Sequence, residues 1–240
     1  MATRTALVTG GSSGIGLAIA RVLAEEGFAL TLSARRPANL ESAAEELRAS
    51  GAEVVTAAGN VAQEEDIVAV VERHREAYGR LDVLVNNAGL GIGGPIDDVL
   101  TKHLDMQLAI NLRSMILFYR EAMPMLREAG RDAGALVVNT SSITGKVGTG
   151  GLSVYSATKH GMVGFTEAMN QELRDAGIKS CVLCPAYVDT PLSDYVKDTV
   201  AAEEMIRVED LGESVRFLLR LSSHCVVPEL IFRRPTDSDV

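Results

Sequence analysis

Short β-branched and aliphatic runs alternate along this chain with longer segments whose apolar residues recur every three to four positions. The runs are TALVTG (5–10), FALTLSA (28–34), AEVVTAA (52–58), LDVLVNNAG (81–89), ALVVNTSS (135–142), IKSCVLCP (178–185) and ELIFR (229–233). Such runs suit strands covered on both faces, so the pattern predicts an α/β, doubly wound parallel sheet of about seven strands with helices on both faces. The first helix is expected from Ile15 to Glu26, closed by Gly27. The second is opened by Pro37 and Asn39, with Leu40, Ala43, Ala44 and Leu47 forming its apolar face. A third covers about 63–78 around Ile67, Val70 and Val71. A long one covers 104–127, where Pro124, lacking an N–H, is expected to bend or restart the helix near its end. The last two are predicted over 153–176, ending at Gly177, and around Leu211, Val215, Leu218 and Leu219.

The length of 240 residues would suit one α/β domain or two small ones. Because the strand–helix rhythm fills the chain without a linker, one domain over 1–240 is expected. The terminal RRPTDSDV is polar and is expected at the periphery. A formal charge of -9 gives no long-range attraction for nucleic acid, and basic residues run no longer than the Arg35-Arg36 and Arg233-Arg234 pairs. Cys181, Cys184 and Cys225 cannot all pair within one chain, and Cys181 and Cys184 fall in a strand-like run where packing explains them. The histidines are scattered, so no metal site is expected. No apolar stretch reaches the roughly 18 residues of a membrane span, and no signal peptide opens the chain. A cytoplasmic protein without a membrane or nucleic-acid partner is the expectation.

Chemistry concentrates after the strands. TGGSSGIG (9–16) joins the first strand to the first helix, where glycines permit a tight turn and backbone amides at a positive helix end can hold a pyrophosphate. Gly10, Ser12, Ser13, Gly14, Ile15 and Gly16 are therefore candidate cofactor contacts; a merely flexible turn is the alternative. The second strand ends in SARR, which has no carboxylate for an adenosine ribose. Arg35 instead offers a planar donor fork to a 2′-phosphate, with Arg36 assisting or solvated, which favours NADP(H) while leaving NAD(H) possible. Asn87, Ala88 and Gly89 of NNAG leave the fourth strand at the same sheet end and are expected to border the cofactor.

YSATK (155–159) places a phenol and an ammonium one helical turn apart on one face. Ser142, beyond the fifth strand, can join them. Neither Ser141 nor Ser142 stands in G-x-S-x-G, which weakens a hydrolase reading. Carbonyl reduction suits the trio better: Tyr155 donates the proton, Ser142 holds the oxygen, and Lys159 favours the phenolate by lowering the tyrosine pKa.

TGGSSGIG, NNAG, Asn111, Ser141-Ser142, YSATK and PAYVDT (185–190), in this order, resemble the classical short-chain dehydrogenase/reductase family, in particular its β-ketoacyl carrier-protein reductase-like group. The resemblance spans residues 5–233 and implies a Rossmann-type oxidoreductase interconverting a small-molecule carbonyl and alcohol, with Asn111, Ser142, Tyr155 and Lys159 catalytic. It implies that Lys159 also contacts the nicotinamide ribose. Asn111 would lie at a helix distortion whose backbone holds a water linking Lys159 to solvent. Asn60, Val61, Pro185, Val188 and Thr190 join the cofactor set, a lid covers about 190–207, and a homotetramer or homodimer is expected. The chain departs from the family pattern at Asn60, where Asp is common, at Ala186, where Gly is common, at Ser13, where a basic residue supports NADP, and in VPELIFRRP. Leu192, Tyr195, Val196, Met205, Ile92, Ile143 and Tyr187 are candidate pocket walls, each of the lid residues equally suited to packing. The competing readings are an NAD-dependent alcohol dehydrogenase and a non-catalytic nucleotide-sensing scaffold.

Overall fold

Buried aliphatic runs become a seven-stranded parallel sheet in a computed structural model that describes residues 3–237. The last three residues of the polar tail and the first two of the chain lie outside the described residues. In chain order the elements are β1 (Thr5–Thr9), α1 (Gly14–Glu25), β2 (Ala29–Ala34), α2 (Pro37–Ala49), β3 (Val54–Ala58), α3 (Glu64–Tyr78) and β4 (Val83–Asn86). There follow α4 (Thr101–Gln107), α5 (Ser114–Asp132), β5 (Ala135–Thr140), α6 (Ser153–Glu172), β6 (Ile178–Pro185), α7 (Val208–Leu219) and β7 (Glu229–Phe232). The sheet order is β3-β2-β1-β4-β5-β6-β7, so the chain reverses direction of travel between β1 and β4, where crevices open at the carboxyl ends of the strands.

Each face of the sheet has its own apolar cluster. Ile19 and Leu23 of α1, Leu40 and Leu47 of α2, and Leu211 and Val215 of α7 pack on one side against Val8, Leu30 and Val85. Ile67 and Val71 of α3, Phe118 and Leu126 of α5, and Met162 of α6 pack on the other against Leu7, Leu84 and Val137. Burial of both faces is why the strands read as apolar runs without alternation. It also accounts for Cys181 and Cys184, which are free and buried in β6. His74 is likewise structural: Nε2 donates to the Arg80 carbonyl at 2.7 Å and Nδ1 accepts from Thr31 Oγ1 at 2.8 Å. Burial pushes its pKa down to about 4, so it is neutral at physiological pH.

Three expectations are corrected. The helix expected over 104–127 is not continuous: α4 passes into a π-helical turn, Leu108–Arg113, before α5 begins, which puts Asn111 at the helix distortion the family resemblance implies. Nor does Pro124 restart α5, which runs on to Asp132. Pro124 and Arg120 face solvent, where water can satisfy the carbonyl that proline leaves without a donor. Finally, the helix expected to end at residue 176 ends at Glu172, and a 3-10 turn, Arg174–Ala176, carries the chain to Gly177 at φ 68°.

Candidate active site

At the carboxyl end of β1 the chain turns at Gly10 (φ 64°) and enters α1 at Gly14 (φ 54°), conformations that glycine adopts without a Cβ penalty. Gly16 is needed for space: a Cβ there would lie 2.3 Å from the Gly10 carbonyl oxygen. Thr9 and Asn87 lace this turn to the exit of β4. Thr9 Oγ1 accepts from the amides of Asn87 (2.9 Å) and Ala88 (3.1 Å), and Asn87 Nδ2 donates to the carbonyls of Thr9 and Gly10, both at 3.3 Å. The glycine turn and NNAG thus form one rigid ledge.

From that ledge a cavity of about 1340 Å³ runs along the strand ends. Gly10, Ser12, Ser13, Gly14, Ile15, Arg35, Arg36, Asn60, Val61, Asn87, Ala88, Gly89, Pro185, Val188 and Thr190 line it, together with Ser142, Tyr155 and Lys159. Gly16 and Asn111 stand behind the wall and support it. Arg35 and Arg36 are exposed beyond β2. Asn60 Oδ1 already accepts from the Ala62 amide at 3.2 Å, while its own amide donates to Asp66 Oδ2 at 2.7 Å. The carboxamide oxygen therefore shapes the β3–α3 turn.

The chemistry-bearing side chains converge from three elements. Asn111, in the π-helical turn and 1% exposed, accepts from the Leu90 amide (2.9 Å) and donates to the Leu90 carbonyl (2.8 Å) and to Thr158 Oγ1 (3.1 Å). Thr158 Oγ1 in turn donates to the Tyr155 carbonyl at 2.7 Å, so the π-turn and the YSATK turn are held together. Ser142 caps the 3-10 turn Ile143–Gly145, its Oγ accepting from the Thr144 amide at 3.2 Å. Gly145 lets α6 come close, since a Cβ there would stand 2.8 Å from the Lys159 carbonyl oxygen.

Lys159 Nζ donates to the Thr140 carbonyl at 2.8 Å and lies 5.5 Å from the centroid of the Tyr155 ring. Burial lowers its pKa to about 8. Burial also pushes Tyr155 up to about 12, with the Ser142 hydroxyl pulling it down by a smaller amount. The resting phenol is thus raised by burial rather than lowered, and the Lys159 ammonium, directed at the β5 carbonyl, is not among the groups that shift it in this arrangement. Two buried hydroxyls of cavity-lining residues, Thr140 Oγ1 and Thr144 Oγ1, have no hydrogen-bond partner among the described residues. Such atoms are normally satisfied, so they suit a polar molecule bound here.

The outer wall differs in part from its sequence expectation. Ile92, Ile143, Tyr187, Leu192 and Tyr195 line the cavity; Val196 does not, and Met205 is buried as a packing residue. Residues missed by sequence reasoning also take part. Buried Gln107 accepts from the Ile92 amide at 3.1 Å, fixing the loop above Tyr155. The described part of the tail is not peripheral: Arg233, Arg234, Thr236 and Asp237 line the cavity. The reason is topological, because β7 runs parallel to β6 and delivers the following residues to the same sheet end as Pro185. Parallel pairing was the available signal.

A doubly wound sheet whose first turn is a glycine ledge, and whose Tyr–Lys helix returns beside it, defines a Rossmann-type oxidoreductase. The chain belongs to the short chain dehydrogenase family, whose model matches residues 4–201. It is 30% identical over 225 residues to a 3-oxoacyl-(acyl-carrier-protein) reductase of Staphylococcus aureus, covering 90% of each chain. It is 35% identical over 219 residues to an uncharacterized oxidoreductase of Bacillus subtilis, covering 91% of this chain and 84% of that one. Among solved structures, an alcohol dehydrogenase of Thermococcus sibiricus complexed with 5-hydroxy-NADP aligns with a TM-score of 0.89 at 27% identity, covering 99% of both chains. A variant of actinorhodin polyketide ketoreductase with NADPH aligns with a TM-score of 0.88 at 32% identity, covering 96% of this chain and 97% of that one.

Proposed function

We propose that the protein interconverts a carbonyl and a secondary alcohol by hydride transfer, with NADP(H) as preferred cofactor, NAD(H) accepted, and Tyr155 as the acid/base. The observation that carries this reading is the Tyr155 phenol standing in the cavity between Ser142 and buried Lys159. The dinucleotide would supply or accept the hydride. The glycine ledge, the two partnerless hydroxyls and the Arg35-Arg36 pair fit such a group: backbone amides and a helix end for a pyrophosphate, and guanidinium donors for an additional phosphate. NADPH and 5-hydroxy-NADP in the similar structures support the same choice. A structure of a 3-ketoacyl-(acyl-carrier-protein) reductase from Brucella melitensis with NADH, 28% identical, keeps NAD(H) in view.

In the reducing direction Tyr155, protonated up to about pH 12, donates its proton as negative charge grows on the substrate oxygen, while the Ser142 hydroxyl holds that oxygen. Lys159, charged below about pH 8 and 5.5 Å from the ring centroid, is the cation we propose to offset burial once the phenolate forms, although it does not lower the resting phenol. Asn111 acts through Leu90 and Thr158 as a positioning residue. We read residues 1–240 as one domain whose segment 190–207 is the substrate lid, and place the protein in the cytoplasm. No helix among the described residues is long and apolar enough to cross a membrane. Exposed Leu100 just before α4, Met106 on α4, Leu108 in the π-turn and Ile116 on α5 suit a face shared between copies in a dimer or tetramer.

The test is a panel of carbonyls and alcohols assayed with NADPH/NADP and NADH/NAD, on the wild type and on Tyr155→Phe. The variant is expected to keep bound-NADPH fluorescence and lose turnover by about 10³-fold. Full turnover by folded Tyr155→Phe would refute the proton route; cofactor binding without turnover across the panel would favour the sensing scaffold.

A further inference from the structure

Among the described residues, five cations, Arg35, Arg36, Lys159, Arg233 and Arg234, line the cavity with a single carboxylate, Asp237, in a chain whose formal charge is -9. The cavity therefore opposes the charge of the molecule that carries it. Its two arginine pairs cannot serve one anion. Arg35 and Arg36 follow β2, whereas Arg233 and Arg234 follow β7, and the sheet order puts five inter-strand steps between those strands. At the usual strand spacing that is about 24 Å.

The β7 pair belongs to the substrate end. The Tyr195 phenol is close enough to Tyr155 to oppose its ionisation, and Tyr187 acts on Tyr195 in the same way. The Arg234 guanidinium lies 5.4 Å from the centroid of the Tyr187 ring, so the tail is linked stepwise to the reacting phenol. Arg234 is already engaged. Its Nε and Nη2 donate to Asp237 Oδ1 at 2.9 and 2.6 Å, and its amide donates to Oδ2 at 2.8 Å. Although burial pushes the Asp237 carboxyl up, Arg234, with the charge of Arg233 adding to it, holds it below its usual value, so it is ionised at neutral pH. Arg233 is exposed on the cavity wall and forms no ion pair with another described residue. Among its described residues the tail thus carries two guanidiniums against one carboxylate, and Arg233 is the guanidinium in no ion pair with another described residue.

We propose that Arg233 makes the enzyme selective for carbonyl substrates carrying an anionic group, carboxylate or phosphoryl, remote from the reacting carbon. This rests on the carbonyl-reducing reading above and names the substrate class for the same site. A guanidinium fork matches either oxyanion in planar, two-point fashion. Asp237 has the opposite influence: by neutralising Arg234 it limits the charge offered and disfavours a second anion nearby.

The experiment compares 5-oxohexanoate and 7-oxooctanoate with their methyl esters, and dihydroxyacetone phosphate with dihydroxyacetone, in the intact protein with NADPH. The wild type is expected to prefer at least one anion over its neutral partner by about fivefold in kcat/KM, a preference that shrinks in 0.5 M salt. R233Q lowers the ratio of anion to neutral substrate about fivefold, and D237N raises it. Opposite shifts in the two variants separate charge recognition from simple loosening of the tail, which would move both the same way. A preferred keto acid identifies the carboxylate source, a preferred phosphate ester the phosphoryl one. Ratios that stay within twofold in both variants, or a wild-type preference for the neutral partners, overturn the inference while leaving carbonyl reduction intact. If no carbonyl is reduced, the functional reading falls, and titration of 7-oxooctanoate and its ester into the protein with NADP decides the inference. Tighter binding of the acid that R233Q abolishes upholds it; equal binding overturns it.

Discussion

At the floor of the cavity and just behind it, Lys159, Asn111 and Thr158 are almost wholly buried, and their polar atoms meet groups from another element or another turn: Thr140, Leu90 and Tyr155. On the outer wall, Leu192 and Tyr195 stand 47% and 67% exposed, and the nearby Lys197 bonds to Asp189 and Asp194 at the surface. Surface pairs of this kind contribute little, roughly 0–1 kcal/mol, whereas a buried polar group deprived of its partner is costly. The floor can therefore hold one geometry for proton transfer, and the wall can change its shape with little cost to the fold. This divides the cavity into a part that sets the reaction and a part that sets what is admitted.

The contrast can be broken by mutation. After the loss expected for Tyr155→Phe, the next largest effect belongs to Asn111→Ala, which removes the tie between the Leu90 loop and α6. Its kcat/KM is expected to fall about 100-fold, the scale of a small misplacement of reacting groups, with NADPH affinity changed less than threefold. Steady-state kinetics beside a fluorescence titration would separate the two, and a loss confined to cofactor affinity would contradict a positioning role.

A pH profile sharpens the same point at intermediate size. A lysine lowered to about 8 is a cation below that pH and neutral above it, whereas Tyr155, raised to about 12, remains a donor throughout. The kcat/KM for reduction should be level between pH 6 and 7.5 and fall about tenfold by pH 9 as Lys159 discharges. A profile level to pH 10 would show that the Lys159 charge is not used.

The smallest effect is expected on the wall. Leu192→Ala, which trims a half-exposed apolar side chain, should raise KM for an apolar carbonyl about threefold and leave kcat and thermal midpoint nearly unchanged. If Leu192→Ala cost as much as Asn111→Ala, floor and wall would not differ in kind.

Much of this was legible before any coordinates. The apolar runs placed all seven strands, because strands covered on both faces need aliphatic residues at every position. The glycines of 9–16 marked the ledge, because no other residue tolerates the turn at Gly10 or the contact at Gly16. Tyr155 and Lys159 were readable as a pair from helical spacing alone.

What stayed hidden depended on partners far away in sequence. The family resemblance marked Asn111 and its helix distortion, but not that Leu90, 21 residues earlier, meets its carboxamide across the π-turn. The tail reads as peripheral until β7 docks beside β6 and brings Arg233 and Arg234 to the cavity. The direction of the tyrosine shift was hidden for the same reason. Sequence determined which ionisable groups this protein places after its strands, since local propensity and apolar patterning act over a few residues. Only the tertiary structure decided how deeply each is desolvated and which partner it faces, since burial is a property of the whole packed chain.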